Sequence, residues 1–581
     1  MTRRAPLITL SLALLLLTVA PTGCMAPLFR GKVVEQQLDE IDPPGEPTTN
    51  FVSRYTHPYG LDYVQVQAVS LVTGLKGTGG DPPPTPQRAQ LLEEMHRLNI
   101  ERPNTVLAMP ETALVLVRGF LRPGIQKGDR FDLEVRVPSK SETTSLRGGH
   151  MLSAYLTEMA VLGNSIRSGS TLAEAEGPVL VDPSAEGDDA GDTAVATRGR
   201  ILGGGVALKS RPLGLVISHE HQSVRMAQAI SKSINDRFHR YDQGRKVGVA
   251  KPKTDEFIEL HIHPRYKDNI TRFVKVVRSI AVSETSAMRT ERLGRLEKQL
   301  LDPLTSAVAA IRLEAIGGER AIEILAAGLD SSDPEARFYS SEALAYLDDT
   351  RGADALIVAA RDEPAFRVNA LAALSAMDDV AAYEGLRSLL ASKSAETRYG
   401  AFRSLWAMNA GDPMLRGERL GGQFDFHVLD VDGPPMIHTT RSFRPEIVLF
   451  GEGQQFQLPF VLDAGKDILV NGMTGDQIVV SRFAAGEESQ KLTVGTDVDA
   501  VVRAIVQLGG GYPDVVQALQ QANTDGALAS RFCVDALPQT GREYSRQNHS
   551  SDGVESDADA EASDKYRVAT PVPDLFSEQR Q

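Results

Sequence analysis

Between Tyr63 and Val72 apolar and polar residues alternate, the spacing of a strand with one buried face. Thr112–Val117 and Phe131–Val137 alternate in the same way. Gln87–Leu98 is different: Leu91, Leu92, Met95 and Leu98 fall on one side of a helix. Val224–Ile234 predicts a second helix, Phe257–His263 a strand and Asn269–Ile280 a third helix. Strands and helices interleave, which predicts an α+β region over residues 51–283. From Asp302 the texture changes to Ala and Leu at helical spacing. After Gly411 strands return at Phe424–Val431, Ile447–Leu449, Gln455–Leu462, Ile468–Val470 and Ile478–Phe483. Two amphipathic helices, Asp497–Leu508 and Tyr512–Asn523, then flank Gly509, Gly510 and Gly511.

The helical middle repeats itself. Pro303, Pro334, Pro364 and Ala395 open successive units, at spacings of 31, 30 and 31. Ten residues after each opening stands Leu313, Leu344, Leu374 or Leu405, and three further on Ile316, Leu347, Met377 or Met408. Arg337, Arg367 and Arg398 also recur in register. Asp333-Pro334 and Glu363-Pro364 suit helix starts, with an acid at the positive end and a proline whose missing N–H costs nothing. Each unit carries a second helix, as at Ile322–Leu329 and Tyr383–Leu390. No heptad survives across the turns, so a coiled coil does not fit. The array, over 284–412, resembles a short HEAT-type α-solenoid, whose extended face is suited to partner binding. The partner itself is unknown from sequence.

The chain of 581 residues carries a net charge of −14, which excludes a nucleic-acid binder relying on a basic face. Its two cysteines, Cys24 and Cys533, exclude a disulfide scaffold and a Cys-rich zinc module. Arg3 and Arg4 precede an apolar run, Leu7–Ala20, and then Pro21-Thr22-Gly23-Cys24. This is the layout of a signal peptide over 1–24, with Cys24 placed for lipidation in the manner of a bacterial lipoprotein; simple cleavage after Ala20, which would leave Pro21 first, is the competing reading. Residues 25–50, with Pro43, Pro44 and Pro47, read as a linker. Pro183–Ala196 reads as a mobile acidic loop, and 538–581 as a disordered acidic tail containing Asp552, Glu555, Asp557, Asp559, Glu561 and Asp564.

Candidate chemistry is sparse. Gly74–Gly80 is rich in glycine but lacks the Gly-Lys-Ser/Thr ending of a phosphate loop and runs into Pro82, Pro83 and Pro84. His219 with His221, and His261 with His263, would each face one side of a strand, as two metal ligands do, but no third ligand is spaced to join them. Ser218-His219-Glu220 belongs to no nucleophile elbow. The expectation is a protein without catalytic residues, cofactor or metal.

Four stretches carry a resemblance. They are GLDYVQVQAVSLVTGLKGTGGD from Gly60 to Asp81, TSLRGG from Thr144 to Gly149, QSVRMAQAISKSIND from Gln222 to Asp236, and Thr496–Leu537 with its two helices. Together they resemble the flagellar basal-body P-ring proteins, and ILVNGMTGDQIVV from Ile468 to Val480 does so too. The resemblance implies P-ring-like α+β domains at 51–283 and 413–537 flanking the inserted α-solenoid. It implies a structural subunit of a periplasmic ring around the flagellar rod, a homo-oligomer whose partners are other copies, the rod and cell-envelope components. An envelope scaffold or adaptor lipoprotein of the same fold, with no flagellar role, is the alternative. Within TSLRGG, Arg147, Gly148 and Gly149 are candidates either for an intersubunit contact or for locking a turn inside the chain.

Overall fold

The computed structural model describes residues 49–162, 165–182, 195–242, 244–465, 467–473, 475–484, 488–546 and 565–576. The signal peptide with Cys24, nearly all of the linker, most of the acidic loop and the acidic cluster of the tail lie outside them. Among the described residues no helix is long and apolar enough to cross a membrane.

The first half is rich in strands: β1 (Thr56–Tyr59), β2 (Val64–Thr73), β3 (Ala113–Leu121), β4 (Arg130–Arg136), β5 (His150–Leu162), β6 (Ser165–Pro178), β7 (Arg198–Ala207), β8 (Leu213–Ile217), β9 (His239–Asp242), β10 (Arg245–Gly248), β11 (Ala250–Pro252) and β12 (Phe257–Leu260). Six of them close a barrel in the order β2-β3-β4-β7-β6-β5. Its interior is filled by Val66, Val115, Val117, Phe131, Leu133, Leu156 and Ile201, among others. Phe131 is the largest of these, and glycines make its room. A Cβ on Gly119 would lie 2.5 Å from the ring, and one on Gly205 2.7 Å. The run Gly203-Gly204-Gly205 inside β7 has three reasons: Gly203 takes φ +59°, a Cβ on Gly204 would lie 2.3 Å from Ile201, and Gly205 leaves room for Phe131. A second sheet, β1-β8-β12-β11, packs beside the helix Val224–Arg237.

That helix is capped by the Ser223 hydroxyl, which accepts the N–H of Met226. The helix Ile270–Arg278 is capped by Asn269 in the same way. Every residue of Ile270–Arg278 except Thr271 is buried.

The helical repeats follow. First helices span Ser306–Ile316, Pro334–Tyr346, Arg367–Ser375 and Ala395–Met408, and second helices Glu319–Gly328, Ala353–Asp362 and Val380–Leu389. Leu313, Leu344 and Leu374 are 0% exposed and Leu405 1%. Of the four expected openings, Pro334 and Ala395 start their helices directly. Pro303 and Pro364 stand about one turn earlier, in turns that precede Ser306 and Arg367. The recurring arginines have a shared task. Arg337 donates to the carbonyls of Ser331 and Ser332, Arg367 to Ala360 and Arg361, and Arg398 to Leu390. Each places its cation where the preceding helix ends and its carbonyls lack partners.

The last module begins with β13 (Glu418–Leu420), β14 (Phe424–Leu429), β15 (Met436–Thr439) and β16 (Glu446–Phe450). β17 (Phe460–Ala464), β18 (Ile468–Gly472), β19 (Ile478–Arg482) and β20 (Gln490–Val494) follow as an antiparallel sheet. The helices Val498–Gln507 and Tyr512–Thr524 then lead to β21 (Arg531–Val534), which joins the first sheet in the order β13-β14-β16-β15-β21. The strand expected over Gln455–Leu462 starts only at Phe460, leaving isolated bridges at Gln455 and Phe456. Pro459 lacks the N–H that a continuous ladder would use there. Leu180, from the edge of the barrel, is part of this module's apolar core.

The described parts of the tail correct the expectation of disorder from 538 onward. β22 (Glu543–Ser545) pairs with β23 (Lys565–Arg567), and Thr570 and Phe576 are buried. The tail's acid-rich composition hid a few specific anchors, which hold it to the first helices of the repeats.

Candidate assembly surface

The two most P-ring-like loops meet at one end of the barrel. Gly74 and Gly77 take positive φ, which lets the chain leave β2 in a tight turn. The N–H of Leu75 then donates to Glu111 O (3.0 Å), Gly79 to Pro110 O (2.8 Å) and Gly80 to Thr112 O (3.2 Å). These amides are engaged by the chain's own carbonyls, so they form no phosphate cradle. Thr78 ties this turn to TSLRGG: its hydroxyl donates to Ser145 O at 2.8 Å, and its carbonyl accepts the N–H of Thr144 at 2.8 Å.

Within TSLRGG, Leu146 is fully buried and Gly148 has φ +71°. A Cβ on Gly149 would lie 2.4 Å from Val72, so only glycine fits against β2. The Arg147 N–H donates to the Ser145 hydroxyl, and its guanidinium lies 3.5 Å from Asp182 O. The structure therefore places Arg147, Gly148 and Gly149 in a locked turn. Both expected glycines have local reasons, one of torsion and one of space.

This loop cluster also faces the last module. Lys76 pairs with Asp467, and Arg441 donates to Asp182 at 2.9 Å and to Gln520 at 2.6 Å. Asp132 on β4 accepts the N–H of Gly203 at 2.7 Å and that of Phe443. Burial pushes its carboxyl up to about 6, against the pull of those two N–H groups and of Arg200. A cleft of about 980 Å³ opens nearby, with Arg130, Glu176, Arg419 and Arg444 among its lining residues.

The histidine pairs do not have the strand geometry that two ligands on one face require. His219 and His221 lie in a 3₁₀ turn, and the ring of His221 meets Tyr55 edge-on. His261 follows the end of β12, and His263 Nδ1 faces the N–H of Arg265 at the start of a 3₁₀ turn. Burial, then Arg265 and Arg237, push the His263 imidazole down to about 4. Among the described residues no group of three or more His, Cys, Asp or Glu is placed to hold a metal.

Two buried ionic networks that no sequence signal marked join the repeats to their neighbours. At the first repeat, Arg272 pairs with Glu314 at 2.6 Å and Glu342 at 2.7 Å, while Tyr266 donates to Glu314 at 2.7 Å. At the last repeat, Glu446 of β16 accepts from Tyr399 at 2.7 Å and Arg403 at 2.9 Å. Burial alone would raise the Glu446 carboxyl, but Arg403 and Arg444 outweigh it and hold it below its ordinary value. Recurrence of Arg403 and Glu446 across a domain boundary has no periodicity to betray it.

The described chain joins a closed six-stranded barrel with interlocked loops to an array of helical repeats. Residues 56–290 match the flagellar P-ring protein family, and residues 322–406 match HEAT repeats. Among curated relatives, the flagellar P-ring protein of Bradyrhizobium sp. is 27% identical over 240 residues, covering 40% of this chain and 59% of that protein. The flagellar P-ring protein of Photorhabdus laumondii is 31% identical over 226 residues, 36% of this chain and 55% of its own. That of Thermotoga maritima is 25% identical over 244 residues, 40% of this chain and 67% of its own. The chain thus spans 59% and 55% of the length of the first two relatives. Over its first half it is a P-ring-like chain, into which the repeats follow directly; residues 413–537 lie outside the family match.

Proposed function

We propose that this protein is a structural subunit of a periplasmic ring around the flagellar rod, acting by self-assembly and by binding to the rod and to envelope components. The observation that carries this reading is the family match over 56–290, which takes in the whole barrel and both P-ring-like loops. Its neighbours are further copies of the same chain, joined head-to-tail so that one patch meets a different one. In-cell cross-linking followed by isolation of basal bodies tests it. Recovery of the labelled protein in a ring-bearing complex is expected; a monomer with no basal-body or envelope complex ends the reading.

Arg147, Gly148 and Gly149 are the proposed contributors to the subunit contact, Arg147 through its guanidinium and the glycines by shaping the turn. Arg147→Glu should reduce assembly in cells while leaving helical circular dichroism unchanged, and Arg147→Lys should retain much of it. Because the side chain is only half-buried, the monomer should lose no more than about 0.5 kcal/mol. A larger loss in the monomer would assign Arg147 to turn-locking alone.

Cys24 is proposed as a lipidated N-terminus that holds the subunit to a membrane. Cys24→Ser should leave the precursor unprocessed or release the protein from membranes. Mature protein that begins at any residue other than Cys24, as read by N-terminal mass spectrometry, refutes it.

A further inference from the structure

The row of first helices in the repeats is covered by the chain's own C-terminal segment. Pro538 packs against Gly400, and Arg542 reaches Glu396 at 2.6 Å. Tyr544 stacks on Phe366 with ring centroids 4.8 Å apart, and Arg546 reaches Glu335 at 2.6 Å. After β23 the path continues to Tyr339, whose hydroxyl accepts the N–H of Ala569 at 3.1 Å. The segment thus crosses the repeats from the fourth unit back to the second and ends on the helix Ile270–Arg278.

Its last seven described residues, Thr570–Phe576, read Thr-Pro-Val-Pro-Asp-Leu-Phe. Pro571 and Pro573 fix an extended backbone without needing ladder bonds, which lowers the entropy lost on docking. Beyond Arg567 no strand pairing holds the segment. Instead the Thr570 hydroxyl accepts from Arg272 at 2.8 Å and donates to Glu342 at 3.0 Å. Four residues later the Asp574 carboxylate accepts the N–H of Ile270 at 2.6 Å, at the positive end of a helix. Pro571, Pro573 and Phe576 are buried. A hydroxyl, a carboxylate and an aromatic on a proline-stiffened segment that ends in a 3₁₀ turn are the marks of a peptide held in a groove.

We propose that this groove is a peptide-binding site with an exchangeable occupant, able to take the C-terminal segment of a second copy of this chain in place of its own. The occupant follows from chemistry. The groove offers a buried arginine beside two carboxylates and, further along, a helix N-terminus, and Thr570 and Asp574 supply the matching hydroxyl and acid. Between Arg546 and Lys565 lie 18 residues, a length that can span up to about 60 Å. Groove and segment are different surfaces, so exchange joins copies head-to-tail. The role of the exchange rests on the ring-assembly reading; the site itself does not.

The test uses the full chain with a recognition sequence for a site-specific protease placed between Ser550 and Ser551. The protein is folded, cut, and titrated with a fluorescent synthetic peptide of residues 565–576, read by anisotropy. The cut chain should take up the peptide saturably as its own fragment leaves. The uncut chain should bind it at least about tenfold more weakly, because the tethered segment competes. A peptide carrying Asp574→Ala should also bind about tenfold or more weakly, having lost a charge-assisted bond. The inference is overturned if the cut chain takes up no peptide, loses its helical circular dichroism, binds the altered peptide equally well, or binds no better than the uncut chain. Peptide exchange by a chain that is never recovered in basal bodies would sustain the groove and sink only the ring; rings without exchange would remove the groove alone.

Discussion

Arg272→Met should destabilise the protein by about 3–5 kcal/mol, because it leaves Glu314 and Glu342 buried without their cation. All three side chains are at most 1% exposed, so water does not replace the lost partner. The effect should depend on pH in a defined direction. Burial already lifts the Glu342 carboxyl above its ordinary 4.5, and Arg272, helped by the Thr570 hydroxyl, pulls it back. Removing Arg272 lifts it further. A carboxyl raised on folding contributes stability below its unfolded value, and that contribution is lost as pH rises through the folded one. The variant's deficit should therefore be largest at neutral pH and shrink as pH falls toward 4.5. Urea unfolding at several pH values measures this. A deficit under about 1 kcal/mol at neutral pH, the scale of an exposed pair, would mean that solvent reaches the network.

Leu344→Ala and Leu374→Ala should each cost about 2–5 kcal/mol, the range for emptying a buried leucine site. Both are 0% exposed, on consecutive first helices. Thermal or urea melts of the single variants read the cost directly. A value under about 0.5 kcal/mol at either site, as for a surface change, would mean that the repeat register is misassigned.

The elements that were legible in the sequence are those whose periodicity is set by one buried face. The strand at Val64–Thr73, the helix at Val224–Arg237 and the leucine ladder of the repeats all have that property. The hairpin of β5 and β6 was not legible, since Ser165–Pro178 mixes Ser, Gly, Ala and Glu with register shifts that break the alternation. β7 was hidden for a different reason. Its three consecutive glycines break the alternation, yet Gly205 is there to admit Phe131, Gly204 to clear Ile201, and Gly203 to take positive φ. The loop cluster was half legible: the turn at Gly74–Gly80 and TSLRGG could each be named, but their mutual bond through Thr78 joins residues 67 apart and leaves no local trace. The anchors of the tail were hidden by their surroundings. Thr570 and Asp574 gain meaning only beside Arg272 and the N-terminus of the helix Ile270–Arg278.

Arg272 and Thr570 are separated by 298 residues, and Ile270 and Asp574 by 304. At about 5–20 residues per second, Thr570 is made roughly 15–60 s after Arg272. Until then the groove beside Arg272 stands open, and Glu342, once made, lacks its hydroxyl partner. A chain cut short before Thr570 stays in that state permanently. Docking of Thr570 and Asp574 therefore comes long after their groove is made, and a fragment that stops short of Thr570 differs physically from one that reaches Phe576.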